Sequence, residues 1–220
     1  MPNLIDIGII AALREELDMI RQLIPGFEEV DLDGTKTWYK TTIESHNKKK
    51  YTVVAARQTK MGPMDAAALA NDFFMHWQPA YLIVTGIAGA LSDDVNLGDV
   101  IVSQQVIHYD LGKAAVDDDG KSVIRYRPEG YPCSMTLIRQ TEAVADSERY
   151  VLKETALAGV EAVIELIKKQ YGDEDELPGL LDQVARHQAA VHFGPLASGS
   201  LVVSDPAKKK QLLALHGKVL

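Results

Sequence analysis

A chain of 220 residues that is 46% hydrophobic can fold as one α/β domain with a buried sheet, and no linker-like stretch divides it. The formal net charge of −8 argues against a groove for nucleic acid, whose phosphates would be repelled. One cysteine excludes an internal disulfide, and the N-terminus has no cationic segment followed by a long apolar stretch. We therefore expect a single domain over residues 1–220, in a cytoplasmic protein that binds neither nucleic acid nor membrane.

The side chains that could bind a metal are scattered along the chain. None of the six histidines lies four residues from another or next to the single cysteine, and close spacings of these residue types are typical of zinc sites. We expect no metal ion and no cofactor. Cys133 has no neighbouring histidine in the sequence to activate it as a nucleophile, so we interpret it as structural.

Strands and helices alternate in the first half of the chain. Residues 4–10 form a short, β-branched and almost continuously apolar run, as expected of a strand buried on both faces. Leucine and isoleucine then recur at helical spacing from Leu13 to Ile24, and a Pro-Gly pair ends that helix. The remaining predicted elements are strands over residues 38–43, 51–55 and 81–85, and a helix that Asp65 is placed to cap.

The same alternation continues in the second half. Its predicted elements are a strand over residues 100–107, a hairpin loop at 117–120, a helical stretch within 135–170, a strand over 189–196 and a helix over 206–215 capped by Asp205. This order predicts a three-layer α/β sandwich with a central, mostly parallel, twisted sheet. After Gly217 an apolar segment begins as a buried strand would, so we expect the domain to be truncated, and therefore incomplete, at its C-terminal end.

Two acids, Glu15 and Glu16, lie at the start of the first helix, directly after the first strand. Open α/β sheets bind ligands at the carboxyl ends of their strands, so a carboxylate at this point is placed to act on a ligand. Acids also favour the first turn of any helix through the helix dipole. We interpret Glu15 in that second way.

A glycine turn over residues 85–91 follows the predicted strand 81–85. Glycines let the backbone approach a ligand closely, and main-chain groups left accessible can read the edge of a base. Leu97-Gly98-Asp99 then leads into an alternating strand. Together with Glu16 and the turn at residues 58–65, this segment resembles the purine nucleoside phosphorylase superfamily, nearest to its 5′-methylthioadenosine/S-adenosylhomocysteine nucleosidase branch.

The resemblance implies an enzyme that hydrolyses the N-glycosidic bond of a purine nucleoside, its small-molecule partner. Residue by residue, Glu16 takes the water-activating position. The resemblance places six residues against the substrate, namely Met61, Ile87, Ala88, Gly89, Val202 and Val203. It also implies a homodimer. The family's acid for the departing base and its Met-Glu pair for the ribose would follow Leu220, and we interpret Asp205 as a helix cap instead.

Other interpretations remain open at this stage. His108 and Asp110 are either an acid–base pair or an ordinary polar strand end. A phosphorylase would need arginines in the first turn and before the glycine turn, where Arg14 is the only guanidinium, so hydrolysis is favoured. The non-enzymatic alternative is a nucleoside- or nucleotide-binding sensor or effector module of a larger bacterial signalling or defence protein. A doubly wound domain with an unrelated ligand is the third.

Overall fold

The computed structural model describes residues 3–32, 34, 36–116, 118–146, 189–200, 203 and 205–215. The chain divides into two compact units, Met1–Ala88 and Gly89–Leu220. No helix within the described ranges is both long and apolar enough to cross a membrane. The expectation of a single domain that is incomplete at its C-terminal end stays a prediction.

A five-stranded sheet forms the centre of the first unit, with the strand order β2-β3-β4-β1-β5. The elements in chain order are β1 (Ile5–Ala11), α1 (Arg14–Leu23), β2 (Glu28–Asp31), β3 (Thr37–Glu44), β4 (Lys50–Arg57), α2 (Pro63–His76) and β5 (Pro79–Val84). β1 runs parallel to β4 and β5, whereas β2, β3 and β4 form an antiparallel meander. The carboxyl ends of β4, β1 and β5 therefore lie at one edge of the sheet.

The core of the first unit lies on both faces of this sheet, because successive side chains along β1 point to opposite faces. Ile10 belongs to a buried cluster with Phe73 of α2, and Ile9 belongs to a second buried cluster with Leu17 of α1. The two helices thus cover opposite faces. This unit consists of helix, sheet and helix in three layers, as the alternation of elements predicts.

A three-stranded sheet and a separate hairpin form the second unit. Its described elements are β6 (Val100–His108), β7 (Gly112–Val116), β8 (Ser122–Tyr126), β9 (Glu129–Pro132), α3 (Met135–Ala145), β10 (Val191–Ser198) and α4 (Pro206–Leu215). β6 lies between parallel β10 and antiparallel β9, and β7 pairs with β8. The buried cluster here consists of Leu91, Ile107, Tyr109 and Leu212.

The element boundaries differ from the predicted ones in one instructive place. α2 begins at Pro63, with Gly62 as its N-cap, because the fixed φ of proline suits the first helical position. Asp65 is therefore not the cap; it lies in the first turn and accepts a hydrogen bond from the Lys60 N–H at 3.3 Å.

Two strands, β2 and β9, were not predicted. Both are four residues long and mostly exposed, and each lies at an edge of its sheet. Such strands pair through backbone groups, so they need no hydrophobic alternation. Of the helical stretch predicted within residues 135–170, α3 is confirmed, and residues 147–170 lie outside the described ranges.

Candidate active site

The turn between β1 and α1 brings the side chain of Glu16 back onto the backbone that precedes it. Oε2 of Glu16 accepts hydrogen bonds from the backbone N–H groups of Ala12 at 2.9 Å and Leu13 at 2.8 Å. The first N–H groups of a helix have no partner within it, and the leucine at the N-cap has no side-chain acceptor to offer. From the third helical position, Glu16 instead accepts hydrogen bonds from the N–H of Leu13 at the N-cap and from the N–H of Ala12 before it.

The second oxygen of Glu16 reaches the glycine turn that follows β5. Oε1 accepts a hydrogen bond from the backbone N–H of Ile87 at 2.8 Å, across 71 residues of sequence. The parallel pairing of β1 and β5 makes this contact possible, because Ile10 is aligned with Val84 and the Thr85 N–H donates to the Ile10 carbonyl. The early acid and the glycine turn therefore meet at the same edge of the sheet.

The other predicted substrate-binding residues of the first unit lie on exposed turns. Met61 is 63% exposed in the turn between β4 and α2. Ile87 and Ala88 are exposed in the turn after β5. The backbone N–H of Ile87 donates the hydrogen bond to Glu16 described above. Side chains at the carboxyl ends of parallel strands are where open α/β sheets take ligands. The binding roles of these residues stay predictions.

Three predicted binding residues belong to the second unit. Gly89 is exposed, and a Cβ atom added there would have no other atom within 4 Å. Val203 is half-buried and packs against the cluster that contains Leu91 and Leu212. Val202 lies outside the described residues. Their assignment to a ligand also stays a prediction.

A second carboxylate, Asp110, is held at the carboxyl ends of β6 and β10. The Ser200 N–H donates to its Oδ2 at 2.5 Å, and Nε2 of His108 lies 3.1 Å from its Oδ1. Burial raises the pKa of Asp110, but the hydrogen bonds from Ser200 and the charge of His108 together bring that pKa below its ordinary value of 3.8. The residues that the sequence offered as an acid–base pair are thus in contact.

We expect Asp110→Asn to destabilise the protein at neutral pH and to lose that effect in acid. Because folding lowers the pKa of Asp110 below 3.8, its charged form stabilises the parent above that pH, and the contribution disappears as pH falls through the folded-state pKa. Urea unfolding of parent and variant over a pH series measures the difference. Asn in place of the exposed Asp93 is the control; a constant difference between the Asp110 variant and the parent at all pH values would contradict the expectation.

The Leu-Gly-Asp motif has a structural role that sequence reasoning did not identify. The side chain of Asp99 is 0% exposed, and its carboxylate accepts hydrogen bonds from the backbone N–H groups of Asn96 and Ala190, both at 2.8 Å. Nε2 of His192 lies 2.9 Å from the same carboxylate. Gly98 has a φ of 93°, which only glycine adopts readily. The motif therefore joins the start of β6 to the start of β10.

Comparison with known proteins identifies a family and several relatives. The sequence model of a family described as the phosphorylase superfamily matches residues 6–219. The chain is 29% identical over 161 residues to a 5′-methylthioadenosine/S-adenosylhomocysteine nucleosidase from Haemophilus ducreyi, which covers 73% of this chain and 62% of that protein. A nucleosidase of the same name from Maridesulfovibrio salexigens is 27% identical over 206 residues, covering 94% of this chain and 69% of its own. The chain thus spans about three fifths of the length of the first of these relatives.

Solved structures agree on the fold. A Streptococcus pneumoniae MTA/SAH nucleosidase in complex with 8-aminoadenine superimposes with a TM-score of 0.61 at 21% identity, covering 98% of this chain and 73% of that one. Futalosine hydrolase from Helicobacter pylori gives a TM-score of 0.54 at 18% identity, covering 99% and 72%. At this level of identity the likeness establishes the fold, as the sequence predicts.

Proposed function

Because the chain belongs to the phosphorylase superfamily, we propose that it hydrolyses the N-glycosidic bond of a purine nucleoside, with Glu16 activating the attacking water. The observation that carries the proposal is the 2.8 Å hydrogen bond between the Glu16 carboxylate and the Ile87 amide. It joins the acid to the glycine turn at the edge of the sheet where ligands bind. The named relatives support a substrate of the 5′-methylthioadenosine or S-adenosylhomocysteine kind.

The proposed chemistry needs a carboxylate in a fixed position. Cleavage of the bond between purine and ribose develops positive charge at the anomeric carbon of the sugar. A carboxylate that takes a proton from water lets the water oxygen attack that carbon. Three backbone N–H groups, of Ala12, Leu13 and Ile87, hold the Glu16 carboxylate. These backbone donors lie on the turns that follow β1 and β5 and are fixed by the fold, so the base needs little rearrangement before it acts.

Water rather than phosphate is the proposed nucleophile. Arg14, the guanidinium in the first turn, lies with its Nε 3.6 Å from Asp18 on the exposed side of α1. Two further acids, Glu15 and Glu16, occupy the same helix start. Their negative charge opposes phosphate binding and suits the activation of water.

The substrate contacts and the assembly are proposed on the resemblance. Met61, Ile87 and Ala88 would contact ribose and purine from the first unit, and Met61 has the flexible, polarisable side chain that suits such a surface. Gly89, Val202 and Val203 are proposed as further contacts to the base. A homodimer and a cytoplasmic location are proposed on the same ground.

Product analysis tests the function. The chain is incubated with 5′-methylthioadenosine, with and without inorganic phosphate, and adenine and sugar are separated chromatographically. We expect adenine and free methylthioribose in both cases. A sugar 1-phosphate formed only when phosphate is present would indicate a phosphorylase. Saturable nucleoside binding without release of adenine would overturn the hydrolase and indicate the binding module.

A further inference from the structure

Gly86 leaves room for the carboxylate of Glu16. A Cβ built on Gly86 would lie 2.5 Å from Oε1 and 2.8 Å from Cδ of Glu16, which is closer than van der Waals contact allows. Gly86 is also absent from the glycines with positive φ in the described chain, so its φ does not itself require glycine. What this position requires is the lack of a side chain and not the freedom of a glycine backbone.

We propose that Gly86 is a positioning residue for the hydrolysis, acting through Glu16; this inference rests on the function proposed above. The carboxylate reaches the Ile87 N–H by passing over the Cα of the preceding residue. Any side chain at position 86 would push the carboxylate away from that amide. The Glu16 carboxylate would still be present, but it would lie away from the position in which it can take a proton from the attacking water.

A side chain at position 86 should displace the Glu16 carboxylate without much loss of folding stability. Glu16 is half-buried, and its carboxylate is the far end of a flexible side chain, which can swing aside. Its Oε2 can keep the hydrogen bonds from Ala12 and Leu13, while the bond from Ile87 is lost. Displacement of a catalytic group by about 1 Å can lower a rate on the order of 10²-fold.

A double-mutant cycle tests the inference. We expect Gly86→Ala to lower kcat for adenine release about tenfold to a hundredfold, with KM changed less than about twofold. In a Glu16→Gln background, Gly86→Ala should have no further effect on kcat, because the group through which it acts is already lost. Equal losses in both backgrounds, an unchanged kcat, or a change confined to KM would overturn the proposal.

Hydrogen exchange of the Ile87 amide gives a readout that does not need turnover. Its exchange should be faster in both Gly86→Ala and Glu16→Ala than in the parent, because the first change displaces the acceptor of that N–H and the second removes it. Unchanged exchange in Gly86→Ala would overturn the inference even if the parent is active. A parent that releases no adenine, with exchange that still responds to Gly86→Ala, would instead overturn the proposed function and leave the contact between Gly86 and Glu16 established.

Discussion

Replacing Glu16 with glutamine is expected to lower kcat for adenine release on the order of 10³-fold, because the amide cannot take a proton from water. The structure gives a second reason. Both carboxylate oxygens accept hydrogen bonds from backbone N–H groups: Oε2 from those of Ala12 and Leu13, and Oε1 from that of Ile87. A glutamine has only one acceptor oxygen. Its NH2 group, itself a donor, must therefore face a backbone N–H where Glu16 has its second oxygen, and the hydrogen bond there is lost. Initial rates of adenine release measure the effect.

Glu15→Gln is the matched control for that experiment. Glu15 lies in the same first helical turn, and the exchange removes the same charge from the same helix start. We expect its rate to stay within about threefold of the parent, since the helix dipole contributes only a fraction of a kcal/mol at such a position. If the Glu16 variant released adenine as fast as the Glu15 variant, Glu16 would not be the base.

Phe73→Ala should lower the free energy of unfolding by about 3–5 kcal/mol. The Phe73 side chain is 0% exposed, and its ring meets the buried ring of Trp38 edge-on, with centroids 4.9 Å apart and planes at 88°. It also lies against Gly8, where even a methyl group would come within 3.0 Å of the ring. The cavity left by the truncation is therefore lined by groups packed too closely to collapse freely.

The next residue in the sequence supplies the comparison. Phe74 is 52% exposed on the other side of α2, and Phe74→Ala removes the same atoms from a site that stays half in water. We expect a loss below about 1 kcal/mol there. Urea unfolding of both variants measures the difference, and equal losses would show that Phe73 does not anchor α2 to the sheet.

Local patterns were enough to predict most of the elements of the fold and the place of Glu16. The short, almost continuously apolar run at residues 4–10 predicts β1, and the helical spacing of apolar residues after it predicts α1, because both patterns are visible within a short segment. The turn at residues 85–91 was recognised by its glycines. Since β1 and β5 are parallel, the rule that strand ends meet at one edge was sufficient to bring Glu16 to that turn.

Contacts between distant residues could not be predicted in the same way. Asp99 and His192 are 93 positions apart, and neither residue type nor spacing indicates that they pair. The reason for Gly86 was also hidden, because a glycine required by a distant carboxylate looks the same in sequence as a glycine required by its own turn. Exposed edge strands such as β9 are also hard to predict, because they pair through backbone groups and need no pattern of apolar side chains.

The hydrogen bond between Ile87 and Glu16 has a consequence for substitutions at position 87. Its donor is a peptide nitrogen, which nineteen of the twenty amino acids provide alike, and proline alone would abolish it. Any substitution at position 87 other than proline therefore leaves the donor of this hydrogen bond in place. Under the proposed function, the exposed side chain at position 87 can therefore differ with the nucleoside that is bound, while the hydrogen bond to Glu16 is kept.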